Sequence, residues 1–379
     1  YESLDDVDDL AMKYMLNQFI YKDGIAFPDE ITSGKVKNMY DMVFNFDPSK
    51  VTDKSMCVNG VFYGLNTMDT PILFASVVGP AFRNKDCNYY LYMLDGTGLI
   101  TAYSSQDTKY VLLVPTNEQI ESEDIYLRTY ADGSKLQQET EDGLVDVSSS
   151  VMRTIVNIHT ATGVDGLKTN GTQVLATQTG FNYWYVKDGK ITSSAAYNKI
   201  LEPDNNVEPF SEFTEVKNGN DNWNNGRTYM YSGTALFQAQ EGDGLQHKLS
   251  VCNDNRYVYY QFAQLLQKAD MVMSSNYIFG LAGASHVIGF IPTNEAISTA
   301  IAAGQIPGMD ATGAVTSSSK LRQYLLSYFI RDRENALISY PYPGSAMKSS
   351  TYVTASGKSL TYTDSGSSLS IMVDGKVAN

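Results

Sequence analysis

At 379 residues the chain is long for one domain and sufficient for two or three. Its 43% apolar and 18% charged residues supply packed cores and give no compositional basis for disorder. The balance of 28 basic against 42 acidic residues leaves a net charge of −14, which repels a polyphosphate and disfavours a nucleic-acid partner.

In chain order, the acidic start Asp5, Asp6, Asp8 and Asp9 reads as a first helical turn, where carboxylates suit the dipole. Met12, Met15, Leu16, Phe19 and Ile20 then fall at i, i+3, i+4, i+7 and i+8, one apolar stripe. Asn59-Gly60 is a hairpin signal ahead of Val61-Phe62-Tyr63, because both residues tolerate positive φ. Thr70-Pro71 marks a turn before the apolar run Ile72 to Val78. Tyr110 to Val114 reads as a buried strand ended by Pro115; Thr116 or Asn117 can cap the helix that follows, and Glu118 sits where its dipole favours an anion. Met152, Ile155, Val156 and His159 repeat the helical spacing. Val186-Lys-Asp-Gly-Lys-Ile191 is a strand turn, and a second Asn-Gly, at 225–226, leads to Tyr229.

The second half repeats these elements. Past a linker at Glu241-Gly-Asp-Gly244, His286 to Glu295 again closes an apolar run on Pro-Thr-Asn-Glu, 177 residues after the first copy measured from Pro115 to Pro292, a domain-sized period. Leu321, Tyr324, Leu325, Tyr328 and Phe329 restore the helical stripe, and Val373-Asp-Gly-Lys-Val377 restores the strand turn.

This order resembles the fasciclin (FAS1) family, whose first signature box looks like Pro292 to Ile297, with Pro115 to Ile120 a close variant. The resemblance implies an α+β fold of tandem fasciclin-like domains, each a β-sandwich or wedge-like sheet with a cluster of N-terminal helices. Its expected boundaries are 1–70 for the C-terminal part of one domain, 71–240 for a complete one, and 241–379 for one lacking its closing strand. The resemblance further implies a non-enzymatic adhesion or ligand-binding protein, secreted or displayed on a cell surface, facing outward from a bacterial outer membrane. Surface proteins or glycans are the expected partners. The alternative is an accessory lipoprotein docked on an outer-membrane transporter complex for glycan or peptide uptake. Low charge, 27 tyrosines and abundant Asn, Ser, Thr and Gly suit export. No stretch approaches the roughly 20 apolar residues of a spanning helix, so membrane association is expected only through an anchor outside this chain.

Chemistry-bearing motifs are sparse. Cys57, Cys87 and Cys252 are odd in number and lack paired spacing, so neither a disulfide scaffold nor a zinc site is expected. His159, His247 and His286 are isolated, no nucleophile elbow or phosphate-cradling glycine loop is present, and no cofactor or metal is expected. In the fasciclin family a Tyr-His pair commonly closes the helix that ends near His159. The pair is absent here, and aromatic residues occupy the matching positions of the other copies, so His159 reads as a packed structural histidine. Asn218 to Gly226 alternates oxygen-bearing side chains, but its glycine and its final position miss the calcium-loop template; it reads as a polar loop with Trp223 exposed at its tip. The candidate binding residues are that Trp223 and the cluster Tyr183, Trp184 and Tyr185, aromatic faces on which a sugar ring or a partner could stack. Alternation along a strand puts Tyr183 and Tyr185 on one face and Trp184 on the other.

Overall fold

The computed structural model describes residues 6–21, 37–40, 47–68, 70–179, 182–199, 210–237, 249, 252, 254–272, 278–281, 286–332, 349–365 and 369–377. The chain divides into two compact units, one of Tyr1–Thr192 with Phe210–Gln238 and one of Ser193–Pro209 with Ala239–Asn379.

Unit 1 opens with α1 (Asp9–Asn17), capped by Asp8, whose carboxylate accepts from the Leu10 N–H at 2.9 Å. The face it buries is not the expected stripe. Leu10 and Ala11 enter the core of unit 1, Tyr14 donates to Asp95 and stacks on Tyr40, and Asn88 donates to Asp8, while Leu16 stays 55% exposed. These polar contacts fix the rotation of the helix about its axis. A separate domain over 1–70 is therefore not what α1 belongs to. Next comes a two-stranded hairpin, β1 (Val51–Cys57) and β2 (Gly60–Leu65). Among the described residues it pairs with no third strand.

A helical cluster then precedes the first buried strand: α2 (Gly79–Arg83), α3 (Asn88–Thr97) and α4 (Leu99–Tyr103) lead to β3 (Tyr110–Leu113). Val111 to Val114 are wholly buried, as their apolar, β-branched-rich sequence requires. Pro115 ends the strand and α5 (Asn117–Glu121) begins, capped by Thr116 in a capping box with Gln119. A small meander of β4 (Ile125–Tyr130), β5 (Gly133–Thr140) and β6 (Gly143–Asp146) follows. The chain continues through α6 (Ser149–Ile158), β7 (Thr160–Thr162), β8 (Thr172–Ala176), β9 (Tyr183–Lys187), β10 (Lys190–Ser193), α7 (Ser194–Lys199), β11 (Ser211–Val216) and β12 (Gly226–Tyr231).

Seven of these strands form one sheet in the order β7-β3-β12-β11-β10-β9-β8. Its two edges meet at the Ala161–Thr177 bridge, so the sheet curls into a nearly closed barrel instead of the expected sandwich or wedge. The last strand, β12, runs parallel to β3, with Gly226 beside Tyr110 and Thr228 beside Leu112. The Asp188-Gly189 turn joining β9 to β10 has φ of 48° and 79°, the left-handed pair of a two-residue hairpin.

Among the described residues, unit 2 has a different set of sheets, one of two strands and one of four. It contains α8 (Tyr260–Lys268), β13 (His286–Gly289), α9 (Asn294–Ala302), α10 (Ser318–Leu326) and β14 (Phe329–Asp332), then a meander of β15 (Ser350–Val353), β16 (Ser359–Asp364), β17 (Leu369–Val373) and β18 (Lys376–Val377). Phe262, Leu266, Leu321, Leu325 and Phe329 fill its core. The expected stripe therefore buries Leu321 and Leu325 from the helix and Phe329 from the strand after it. The Glu241–Gly244 linker lies outside the described residues.

Candidate binding site

The Pro-Thr-Asn-Glu segment acts as a structural joint in both units. Thr116 and Thr293 cap the helix that starts there, while the asparagine that follows reaches back to the start of an earlier helix, α3 in unit 1 and α8 in unit 2. Asn117 Oδ1 accepts from the Tyr89 N–H at 3.0 Å, and Asn294 Oδ1 accepts from the Gln261 N–H at 2.8 Å. Each asparagine amide also donates to a backbone carbonyl before that helix, Lys85 in unit 1 and Tyr257 in unit 2. These bonds satisfy helix N-terminal donors that water would otherwise have to meet.

The candidate aromatics divide by burial, and the two tryptophans are corrected. Trp184 is 0% exposed; its Nε1–H donates to the Ile158 carbonyl at 2.7 Å, which satisfies the one polar atom of a core side chain. Tyr185 is buried too, its ring edge-on to Phe210, and Tyr183 is half-buried. Phe181, their neighbour in the cluster, lies outside the described residues. Trp223 is 4% exposed and not at a loop tip. Its Nε1–H donates to the Val216 carbonyl at 2.7 Å, its ring lies against Gly79, and Arg83 sits over it at 5.3 Å. The loop folds back because Asn218 bridges Asp221, Asn224 N–H donates to the Ala75 carbonyl and Arg83 donates to Asn218.

His159 closes α6 and is fully enclosed. Nδ1 lies 2.7 Å from the Ile155 carbonyl, which can only accept, so Nδ1 carries the proton and Nε2 accepts from the Tyr231 hydroxyl at 2.7 Å. Burial lowers its pKa to about 4. The unfolded imidazole takes up its proton near pH 6.5, so between pH 6.5 and 4 the unfolded chain binds the extra proton and stability falls as pH falls. Unit 1 is expected to lose on the order of 3 kcal/mol over that window. Urea unfolding followed by tryptophan fluorescence at pH 7 and pH 4.5 checks this, since both tryptophans lie in unit 1. A His159→Phe chain should lose that component of the slope; an unchanged slope would show that His159 is not its source. His247 and the His286 side chain lie outside the described residues.

An open groove of about 430 Å³ runs along unit 2 between α8, α9 and the loop at 311–313. Leu265 and Ile297, both buried, form its apolar floor, and Tyr260, Gln261, Gln264, Lys268 and Ser298 line its sides. Gln261 and Ser298 bond each other at 2.7 Å, and Lys268 Nζ reaches the Gly313 carbonyl at 3.4 Å. The loop wall is ordered by Asp310, whose carboxylate accepts from the Thr312 N–H and hydroxyl and from the Ala314 N–H. Those bonds hold its pKa below the usual carboxylate value. The sequence reading missed this groove. Its signals were Gln261, Gln264 and Lys268 recurring on one side of α8 beside Leu265, away from Phe262 and Leu266, and the Asp310-Ala-Thr-Gly313 turn.

Among the described residues no helix is long and apolar enough to cross a membrane. No family model matches the chain. No curated relative matches it either. Among solved structures it is similar to a FAS1 domain pair from the insect cell adhesion molecule fasciclin I, with a TM-score of 0.27 and 12% identity over 78% of this chain and 90% of that one.

Proposed function

We propose that this chain is a non-enzymatic recognition protein of the fasciclin type, acting at a cell surface, and that the groove on unit 2 holds a neutral polar ligand, a glycan by its chemistry. The groove itself carries the reading. Amides from Gln261 and Gln264, the Ser298 hydroxyl and the Lys268 ammonium surround an apolar floor beside Tyr260. That set offers donors and acceptors to hydroxyl groups and an aromatic ring to a sugar, without a nucleophile–base pair among the lining side chains. The repeated Asn117 and Asn294 joint, spent wholly on internal bonds, supports the fasciclin plan in both units.

Titrating the intact protein with soluble oligosaccharides while observing glutamine side-chain amide resonances tests the reading. Shifts confined to Gln261 and Gln264 are expected. Gln264→Ala should weaken binding about three- to tenfold, the loss of one net hydrogen bond of about 0.5–1.5 kcal/mol. No shift at millimolar glycan, or release of new reducing ends during the titration, would overturn it.

A further inference from the structure

One face of the β4-β5-β6 meander in unit 1 looks to solvent. Tyr126 and Gln137, Arg128 and Lys135, and Gln137 and Asp146 stand directly opposite one another and so share that face, while Ile125, Leu127 and Leu136 on the other side pack toward the core of the unit. Arg128 and Lys135 are both exposed, and like charges set directly across two strands cost stability. Lys135 has Asp132 at 3.7 Å, an exposed pair worth little. Arg128 has no ion pair among the described residues and lies over the Tyr126 ring at 5.2 Å.

Beside these cations Tyr130 is laid down on the sheet. Its hydroxyl donates to Gln137 Oε1 at 2.5 Å, and Gln137 donates on to Asp146 at 2.8 Å. Tyr130 pairs with Gly133, four residues and about 13 Å of strand away from Gln137. The bond therefore needs the phenol ring stretched along the face past Lys135, whose Nζ stands 6.0 Å from the ring centroid. The ring keeps 45% of the residue's surface open.

The chain is acidic as a whole, but its carboxylates are held off from this spot. Glu139 lies four residues along β5 from Lys135, about 13 Å, beyond the Debye length of about 8 Å at physiological salt. Asp146 is two strands and two residues from Arg128, about 12 Å between backbones, and is bonded by Gln137. Glu121 on α5 is engaged by the Tyr89 hydroxyl at 2.9 Å. Asp132 is the one carboxylate in contact with either cation among the described residues.

We propose that Arg128 and Lys135, with the Tyr130 ring beside them, bind a sugar residue carrying a single anionic group, a uronate or a sulfate ester. The guanidinium presents a planar fork to the carboxylate or sulfate oxygens, Lys135 adds a point charge, and the flattened ring packs against the C–H face of the sugar. Tyr130, Gln137 and Asp146 are ordered in advance, which lowers the entropic cost of binding. Duplex DNA and anionic bilayers call for a broad basic surface, which two cations do not make. The site lies on the other unit from the groove and takes a ligand of different charge, so the two stand or fall separately.

Calorimetric titration of the intact protein with tetragalacturonate, with its methyl ester, and with a carrageenan oligosaccharide that bears sulfate and no carboxylate tests this. One of the two acidic sugars should bind, which identifies the anionic group, and the methyl ester should not; added sodium chloride should weaken the binding. Arg128→Gln should cost about tenfold or more in affinity and Tyr130→Ala about three- to tenfold. Tyr130→Phe keeps the ring and drops its tether to Gln137, so its loss should be smaller than that of Tyr130→Ala. All three positions are open to water, and the circular dichroism of the parent should be kept. Gln264→Ala, which reports on the groove, should leave this binding unchanged. No binding of either acidic sugar at millimolar concentration would overturn the proposal. So would binding that Arg128→Gln leaves intact, equal affinity for the methyl ester or for acetate or sulfate alone, or stronger competition at these residues by a duplex oligonucleotide or anionic vesicles.

Discussion

Gly226→Ala is expected to destabilise unit 1 by more than about 4 kcal/mol, at the far end of the single-substitution range. Gly226 has φ of 145°, and a Cβ there would lie 1.9 Å from the Tyr110 carbonyl oxygen and 2.9 Å from the Tyr110 backbone nitrogen. The clash is between two backbones, so no rotamer change relieves it. Nor can β12 withdraw, because the preceding Asn225 is fully buried and clamped: its Oδ1 accepts from the Val77 N–H at 2.9 Å, and its Nδ2 donates to the Tyr103 carbonyl at 2.7 Å and the Ser105 carbonyl at 3.0 Å. Relief therefore means parting β12 from β3 and opening the barrel between its fully buried strand and its neighbour. Urea unfolding read by fluorescence, with Trp223 two residues before Asn225, measures the loss directly. A change under about 1 kcal/mol would mean that the parallel contact is not as close as 1.9 Å implies. Gly60→Ala, where an added Cβ meets nothing within 4 Å, is the matched control.

That contrast shows what the sequence could and could not disclose. Both Asn-Gly pairs read as hairpin turns. Asn59-Gly60 ends a two-residue hairpin loop, whereas Asn225-Gly226 follows a long loop and serves as an anchor in the core. The dipeptide reports a tolerance for unusual φ, not the reason it is needed. The joints were legible because strand, proline, cap and helix dipole act within ten residues, so Thr116, Thr293 and the strand burial at Val111 to Val114 follow from local physics. The back-bond of Asn117 to the Tyr89 N–H, 28 positions earlier in the chain, was not legible, since nothing local specifies it. The α1 stripe failed for a related reason: Met12 and Leu16 have the period, but Tyr14 and Asp8 find polar partners on α3 that turn the helix. The groove on unit 2 was hidden because a polar helix face reads as solvated surface until a second helix and a loop wall are placed beside it.

Trp184→Ala is the second large effect, expected to cost unit 1 about 3–5 kcal/mol. The indole is wholly enclosed within the barrel core, facing Leu175 across the β8–β9 ladder, and its removal leaves both a cavity and a carbonyl at Ile158 without its 2.7 Å donor. That carbonyl ends α6 one residue before His159, so the loss strikes the point where helix, histidine and Tyr231 meet. Trp184→Phe separates the two causes: it keeps most of the apolar volume and loses the hydrogen bond, so a cost of about 1–3 kcal/mol is expected for the orphaned carbonyl and the smaller ring. For a unit of this size each kcal/mol lowers the midpoint by roughly 2–4 °C, which places the alanine chain about 6–20 °C below the parent. Thermal unfolding of unit 1 by circular dichroism, with Trp223 fluorescence retained as a second probe, distinguishes the cases. If Trp184→Ala melted within a degree or two of the parent, the indole would have to be a surface group, and its original reading as a stacking platform would return.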